Sequence, residues 1–479
     1  MAPSVPNATP RLGPILRFRG SAAGRVRLSI TVTGPAAPVG FRPLGGLGGA
    51  SFHGTDFELQ ASDGAVTLPE AVRTVAPGLR DRVDVPRADG ALRLAFASCN
   101  GAEDEAALNR APGGRNGMWR GLAERHAKAP FHLLVLGGDQ IYADAVWTLP
   151  SVAAWRALPR RRRLVAPWTE VMRREAEAHY LSTYVQAFGA PEVARMLATV
   201  PSVMIWDDHD IIDGWGSRPD AWQAAPVPQG LFAVARRAFA LAQLGLDPGA
   251  APPAADGFAT SAGAGFGWSG SLGPARIVVP DLRSGRSRHR VMALDGHSHL
   301  AHAVAGHCRP HTIAVSSVPL VNADLSMVER AVAPMMPFVD LYQDDLRDQW
   351  MSYAHRAEWA RVMAALLDAA VASRITVLSG EIHLGAHGTA RRDGARVEQF
   401  IASGIAHPPP PPSLARLHEL FARRPWDRGG ITLDMRPIMN DGRRYLAERN
   451  WLELTVHPDG TRDAVLHGEK AGSVSLPQM

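Results

Sequence analysis

One pattern, met four times, limits what this chain can fold into. An apolar, β-rich run ends abruptly in side chains that bind metals or move protons. Leu92-Arg93-Leu94-Ala95-Phe96-Ala97 leads into Ser98-Cys99-Asn100, and His132-Leu133-Leu134-Val135-Leu136 into Gly137-Gly138-Asp139-Gln140-Ile141-Tyr142. Ser202-Val203-Met204-Ile205 leads into Trp206-Asp207-Asp208-His209-Asp210, and Arg374-Ile375-Thr376-Val377-Leu378 into Ser379-Gly380-Glu381-Ile382-His383. A layered α/β protein gathers ligands in this way, at the rim beyond its strand ends. The collected carboxylates, imidazoles, phenol and thiol suit two metal ions better than a nucleophilic triad.

The rest of the chain fits that frame. From Leu92 onward, strand-like runs alternate with helical stretches at 168–187, 191–199, 230–244 and 344–372, as in an α/β domain. Residues 1–88 differ. Arg25 to Val32 alternates polar and apolar residues, and 56–60 and 64–68 look like two further strands among Gly and Pro punctuation. This front predicts a small all-β, sandwich-like N-terminal domain over 1–88, followed by an α/β domain over 89–479. Pro408 to Pro412 reads as a stiff connector.

Charge and cysteine usage exclude other classes. Lys plus Arg is 51 against 46 for Asp plus Glu, a net +5 that is mild basicity rather than a nucleic-acid stripe. The two cysteines, Cys99 and Cys308, are far apart, so no disulfide framework is implied and a reducing compartment is favoured. No run approaches the roughly 20 apolar residues of a membrane helix, and the first residues lack a charged-then-apolar leader. The expectation is a cytoplasmic protein acting on a small molecule, with no membrane, nucleic-acid or evident protein partner.

Residue chemistry narrows the site. Asp139 follows two glycines that permit close approach, and its two oxygens can serve one cation each; capping the next helix is the alternative. Tyr142 can reach the same ion if that ion is acidic enough to ionise a phenol, and ferric iron is the natural choice. Cys99 reads as a metal ligand, as a nucleophile helped by a histidine, or as an inert buried thiol. Asp207 to Asp210 would repel one another without cations; His209 serves there as a ligand or as the proton donor to a leaving oxygen, and Asp213 reaches the same place. Glu381 and His383, two apart on an extended segment, point the same way. Arg283 could grip a phosphate or form a structural pair with an Asp. His297, His299, His302 and His307 are expected in loop or surface positions, and Arg160 to Arg163 in a solvated loop.

In this order the four motifs resemble those of the PhoD-like alkaline phosphatases, a branch of the calcineurin-like metallophosphoesterases. Cys99 matches the Cys of that branch's Ser-Cys-Asn/Gln; Asp139 and Tyr142 match Gly-Asp-x-Ile-Tyr; residues 206–209 match Trp-Asp-Asp-His; residues 379–383 match Ser-Gly-Asp-x-His. The likeness continues through Asp281-Leu282-Arg283 and Arg449-Asn450-Trp451-Leu452, and so spans residues 92–460. It implies a four-layer α/β metallophosphoesterase sandwich that hydrolyses phosphomonoesters, phosphodiesters or both through a metal-bound hydroxide at a binuclear site, with His209, Asp208 and Arg283 in catalysis. Cys99, Asp139, Tyr142 and His383 would hold ferric iron. Asp139, Asp208, Glu381 and Asp213 would hold calcium or another divalent cation such as Mn2+, Zn2+ or Mg2+. The chain departs from the family in carrying Glu381 where Asp is usual and Asp213 where Asn is usual. A Cys99-based hydrolase and a catalytically silent binding protein on the same scaffold are the alternatives.

Overall fold

The computed structural model describes residues 11–75, 79–259, 265–306, 309–325 and 348–478. His307, Cys308 and the start of the expected 344–372 helix lie outside the described residues.

The four apolar runs are strands with almost every residue buried. Burial on both faces is the condition of a parallel strand covered by other layers, and it explains why these runs lack alternation. They divide between two sheets. In the ten-stranded first sheet, Leu92–Ala97, Leu133–Gly137 and Ser202–Ile205 lie side by side and parallel. In the nine-stranded second sheet, Ala275–Val279, His311–Ser316, Arg374–Ser379 and Ala395–Ala402 form the parallel core. Parallel strands put their carboxyl ends on one rim, so Cys99, Asp139 and Asp207 to Asp210 collect at one edge and Glu381 and His383 arrive from the second sheet.

The two sheets pack through a shared core that includes Leu136, Ile205, Ile277, Ile313, Leu378 and Phe400. Helices Glu170–Phe188, Pro191–Thr199 and Pro226–Phe239 contribute to this core from the first sheet's side. Leu294–Ala305 and Arg356–Ala369 bury their apolar residues in a second cluster with the outer face of the second sheet. This is the layered α/β architecture expected from the sequence. Among the described residues no helix is long and apolar enough to cross a membrane.

The front of the chain is all-β in its main elements, as its alternation implied. Its strands Ile15–Ala22, Arg25–Thr33, Ala50–Gln60 and Arg42–Leu47 continue the first sheet, with Arg17 in parallel register beside Ser202. A buried arginine fastens this junction. Arg17 donates to the carbonyls of Gln243 and Ala242 and, at 2.7 Å, to Thr31 Oγ1. Those carbonyls belong to a π-helical turn, Ala240–Leu244, where widened geometry leaves backbone acceptors free.

Two local expectations are corrected. Arg160–Arg163 forms a short helical turn, begun after Pro159, whose fixed φ suits a helix start. His297, His299 and His302 lie on the helix Leu294–Ala305; His302 is on the surface as expected, whereas His297 is buried 2.7 Å from Glu358. Glu358 also accepts from the backbone N–H groups of Val291 and Met292, so this pair holds a helix start in place.

Candidate metal centre

The motif loops meet by very close packing. A Cβ on Gly138 would lie 2.9 Å from Asp207 Cβ, and one on Gly380 would lie 2.6 Å from Ser98 Cβ, so glycine is required at both turns. The backbone then makes a second demand. Cys99, Asp139, Glu381 and His383 have φ values of 54°, 52°, 67° and 54°. These are four of the seven non-glycine residues with positive φ among the described residues. Left-handed conformations cost non-glycine residues roughly 1–3 kcal/mol each, and they persist where surrounding structure imposes them. Here each one aims a chemically active side chain into the same rim.

Those side chains converge. One oxygen from each of Asp139, Asp207, Asp208 and Glu381 lies within 4.8 Å of all the others. Cys99 Sγ is 3.5 Å from Asp139 Oδ2 and 3.1 Å from Ser403 Oγ. Among the described residues Asp139 Oδ1, Asp207 Oδ2 and the Tyr142 hydroxyl are buried without a hydrogen-bond partner. Burial, with Cys99 and Asp208 as neighbours, pushes the Asp139 carboxyl well above its usual range. Burial and the charges of Asp208, Asp207 and Asp139 do the same to Glu381. Burial and Glu381 raise the Cys99 thiol; burial, Cys99 and Asp139 raise the Tyr142 phenol. A set of oxygen and sulfur donors that resist ionisation together, with orphaned buried oxygens among them, fits cations: bound positive charge supplies both the missing partner and the missing neutralisation.

Asp213 groups with Asp208 and His209, again within 4.8 Å, and Asp208 is the residue common to this group and the four carboxylates. Burial, Asp208 and Asp144 push the Asp213 carboxyl up to about 7. Its backbone N–H donates to Asp144 Oδ1 at 2.7 Å.

Arg283 had two readings, and the structure separates them. It is fully buried. Its Nε donates to Asp207, one terminal nitrogen to Trp215 O at 3.2 Å and Asp348 Oδ1 at 2.9 Å, and the other to Asp208 Oδ1 at 3.4 Å and Asp348 Oδ2. All five N–H groups are engaged, which leaves none for a phosphate. Of the two expectations for Arg283, the structural pair with an Asp is the one realised. Arg286 pairs with Asp348 at 3.0 Å as well. The two guanidiniums hold Asp348 well below the usual carboxylate range against the opposing effect of burial.

Asp210 is structural too. It accepts from the backbone N–H groups of Asp207, Gln140 and Ile141 at 2.9, 3.3 and 3.2 Å and from Gln243 Nε2 at 2.7 Å. It thereby ties the loop carrying Asp139 to the loop carrying Asp208.

His209 has a dedicated partner that sequence reading missed. Its Nδ1 is 2.6 Å from Asp144 Oδ2, and its Nε2 faces Glu103 Oε1 at 3.7 Å. Burial disfavours the imidazolium, but Asp144 and Asp208 outweigh it and hold His209 well above its usual range. Its ring stacks on Tyr142 with centroids 4.2 Å apart. Tyr142 in turn lies 5.4 Å from His407, and His407 stacks on His383 at 3.5 Å. Burial, His407 and His209 drive His383 well below its usual range, so it presents a neutral ring. His407 carried a weaker signal: it lies a few residues beyond the strand Ala395–Ala402, whose Arg396, Glu398 and Gln399 break the apolar run that exposed the four motifs. Asp144 lies two residues beyond Tyr142, in the segment where Asp139 was already in view.

A family model described as PhoD related phosphatase matches residues 84–337, just over half of the chain. An uncharacterized protein of Saccharomyces cerevisiae, YGR266W, is 24% identical over 486 residues, 79% of this chain and 68% of that protein. Among solved structures, PhoD aligns with a TM-score of 0.55 at 11% identity, covering 99% of this chain and 94% of that one. The purple acid phosphatase PPD1 from yellow lupin (Lupinus luteus) seeds aligns at 0.46 and 11% identity, covering 97% and 73%.

Proposed function

The chain belongs to the PhoD related phosphatase family, and from that premise we propose that it hydrolyses phosphate esters at a binuclear metal centre. In this reading Cys99, Asp139, Tyr142 and His383 hold one ion, proposed as ferric iron because a phenol and a thiol are both in its ligand set. Asp139, Asp208 and Glu381 hold the other, proposed as calcium or another divalent cation, with Asp213 flanking it from the His209 side. Bound there, the ions would offset the negative charge of the phosphate and make water acidic enough to serve as a nucleophile near neutral pH.

The chain's own residues supply the rest. Asp144 fixes the His209 ring through Nδ1, leaving Nε2 to carry a proton to the departing ester oxygen. Arg283 positions Asp207 and Asp208 from behind and leaves the phosphate to the ions. The observation that carries the proposal is the group of four carboxylates within 4.8 Å of one another. For two of them, Asp139 and Glu381, the described residues provide no ion-pair partner.

A thiol hydrolase finds less support. The hydrogen-bond partners of Cys99 Sγ are Ser98, Asp139 and Ser403, none of them an imidazole base, and burial holds the thiol in its unreactive form. The test is elemental analysis together with hydrolysis of a model phosphomonoester and a model phosphodiester, before and after chelation. Activity that falls on chelation and returns with added metal is expected. Full activity in metal-free protein overturns the proposal, and metal without turnover on either ester points to a silent binding protein.

A further inference from the structure

The end of the second sheet opposite the carboxylates carries the reverse imbalance. In parallel register Ile375 faces Val397, so one residue earlier Arg374 stands beside Arg396. On the other side of the same strand Arg391 is in register with Arg396. Three arginines therefore stand abreast on neighbouring strands. Like charges directly opposite across a sheet destabilise it.

Arg374 and Arg396 open into a cleft of about 240 Å3, lined also by His311, Thr376, Glu398 and Arg462. Drug-sized ligand pockets run at about 300–1,000 Å3, so this one suits a smaller guest. One carboxylate, Glu398, serves two of the guanidiniums: it accepts from Arg396, and from Arg462 Nε and a terminal nitrogen at 2.9 and 3.0 Å. Arg396 Nε is buried and has no partner. Among the described residues no carboxylate forms an ion pair with Arg374. Of the acids flanking Thr461, which also lines the cleft, Asp459 feels the charge of Arg374 but is hydrogen-bonded by the Thr461 N–H and hydroxyl at 2.8 and 2.6 Å, and Asp463 is held by His457 at 2.7 Å. Of the other lining groups, His311 and Thr376 bond to each other at 2.9 Å.

We propose that this cleft is a second ligand site, separate from the carboxylate rim, that binds a small phosphate-type oxyanion between Arg374 and Arg396. Arginine forks match such oxyanions in charge and in geometry. The six-residue strand Arg374–Ser379 runs from one site towards the other, a span of about 17 Å. The cleft therefore does not depend on the metal centre.

Titration calorimetry on the full chain tests this, using Asp139→Asn, or chelator-treated protein should that variant not fold, to silence the rim. The probes are inorganic phosphate and glycerol 2-phosphate, with chloride matching the ionic strength. About one anion per chain is expected to bind. Adding Arg374→Ser should weaken it tenfold or more, on the order of the loss of one charge-assisted contact. Binding of both probes marks a terminal phosphate as the recognised group; binding of inorganic phosphate alone marks the free anion. Without anion, Arg374→Ser should melt no lower than its parent, because it relieves a like-charge contact. No binding, or binding unaffected by both Arg374→Ser and Arg396→Ser, overturns the proposal.

Discussion

Two acidic clusters lie side by side at one rim of this molecule, and the fold treats them in opposite ways. Asp207 and Asp348 are buried against Arg283 and Arg286, with every N–H of Arg283 engaged. Asp139 is as enclosed as they are and Glu381 is half-buried, and among the described residues neither receives a guanidinium. Burying an unpaired carboxylate is expensive, so the contrast separates charges the chain balances for itself from charges it leaves for something brought from outside. Asp207 and Asp208 belong to both, each touching Arg283 while sharing the open group. They mark the border between scaffold and chemistry.

The contrast can be broken at either side. The largest effect is expected from Asp139→Asn. The amide keeps the shape but cannot bridge two cations, so hydrolysis of a model phosphate ester should fall to background with folded-state circular dichroism intact. Full metal occupancy with normal turnover would remove Asp139 from the open cluster.

Next comes His209→Ala. Loss of a proton donor typically costs about 10² to 10⁴-fold in rate, and the deficit should shrink for esters with good leaving groups while metal content stays level. Metal lost in step with activity would make His209 a ligand and enlarge the open cluster by one residue.

Arg283→Met acts on the compensated side. It strands buried carboxylates, and breaking such a pair costs about 3–5 kcal/mol. Chemical denaturation should show that loss, whereas metal-free Asp139→Asn should be as stable as its parent or more so. Equal stability losses in the two variants would erase the distinction between the clusters.

The smallest and sharpest change concerns colour. Phenolate or thiolate on ferric iron absorbs visible light, so Tyr142→Phe and Cys99→Ser should each shift or weaken a band of the purified protein. A colourless, active enzyme containing only zinc or calcium would refute the iron assignment and leave the two-metal reading standing.

What could be read from the sequence was what is local. Strands such as Leu133–Gly137 are legible because burial on both faces leaves an unbroken apolar run, and the change to Gly-Gly-Asp marks the rim. Cys99, Asp139, Asp208 and Glu381 followed from that rule. Partnerships between distant segments were not legible. Nothing near Ile15 says that its strand lies against Ser202–Ile205, a junction fastened by Arg17 bonding the carbonyls of a π-helical turn some 225 residues later. Arg283 looked available for phosphate because Asp348, which occupies it, follows at a distance with no periodic signal. Asp144 and His407 carried local signals that the motif reading did not use.

The left-handed backbone at Cys99, Asp139, Glu381 and His383 leaves a trace that inheritance can register. At each position glycine would relax the chain, so stability alone pulls all four towards it and only chemistry holds them back. A descendant released from catalysis should therefore lose these residues first, and lose them to glycine more often than to alanine, with the neighbouring strands unchanged. Such a chain would outlast its active sister on heating while hydrolysing nothing.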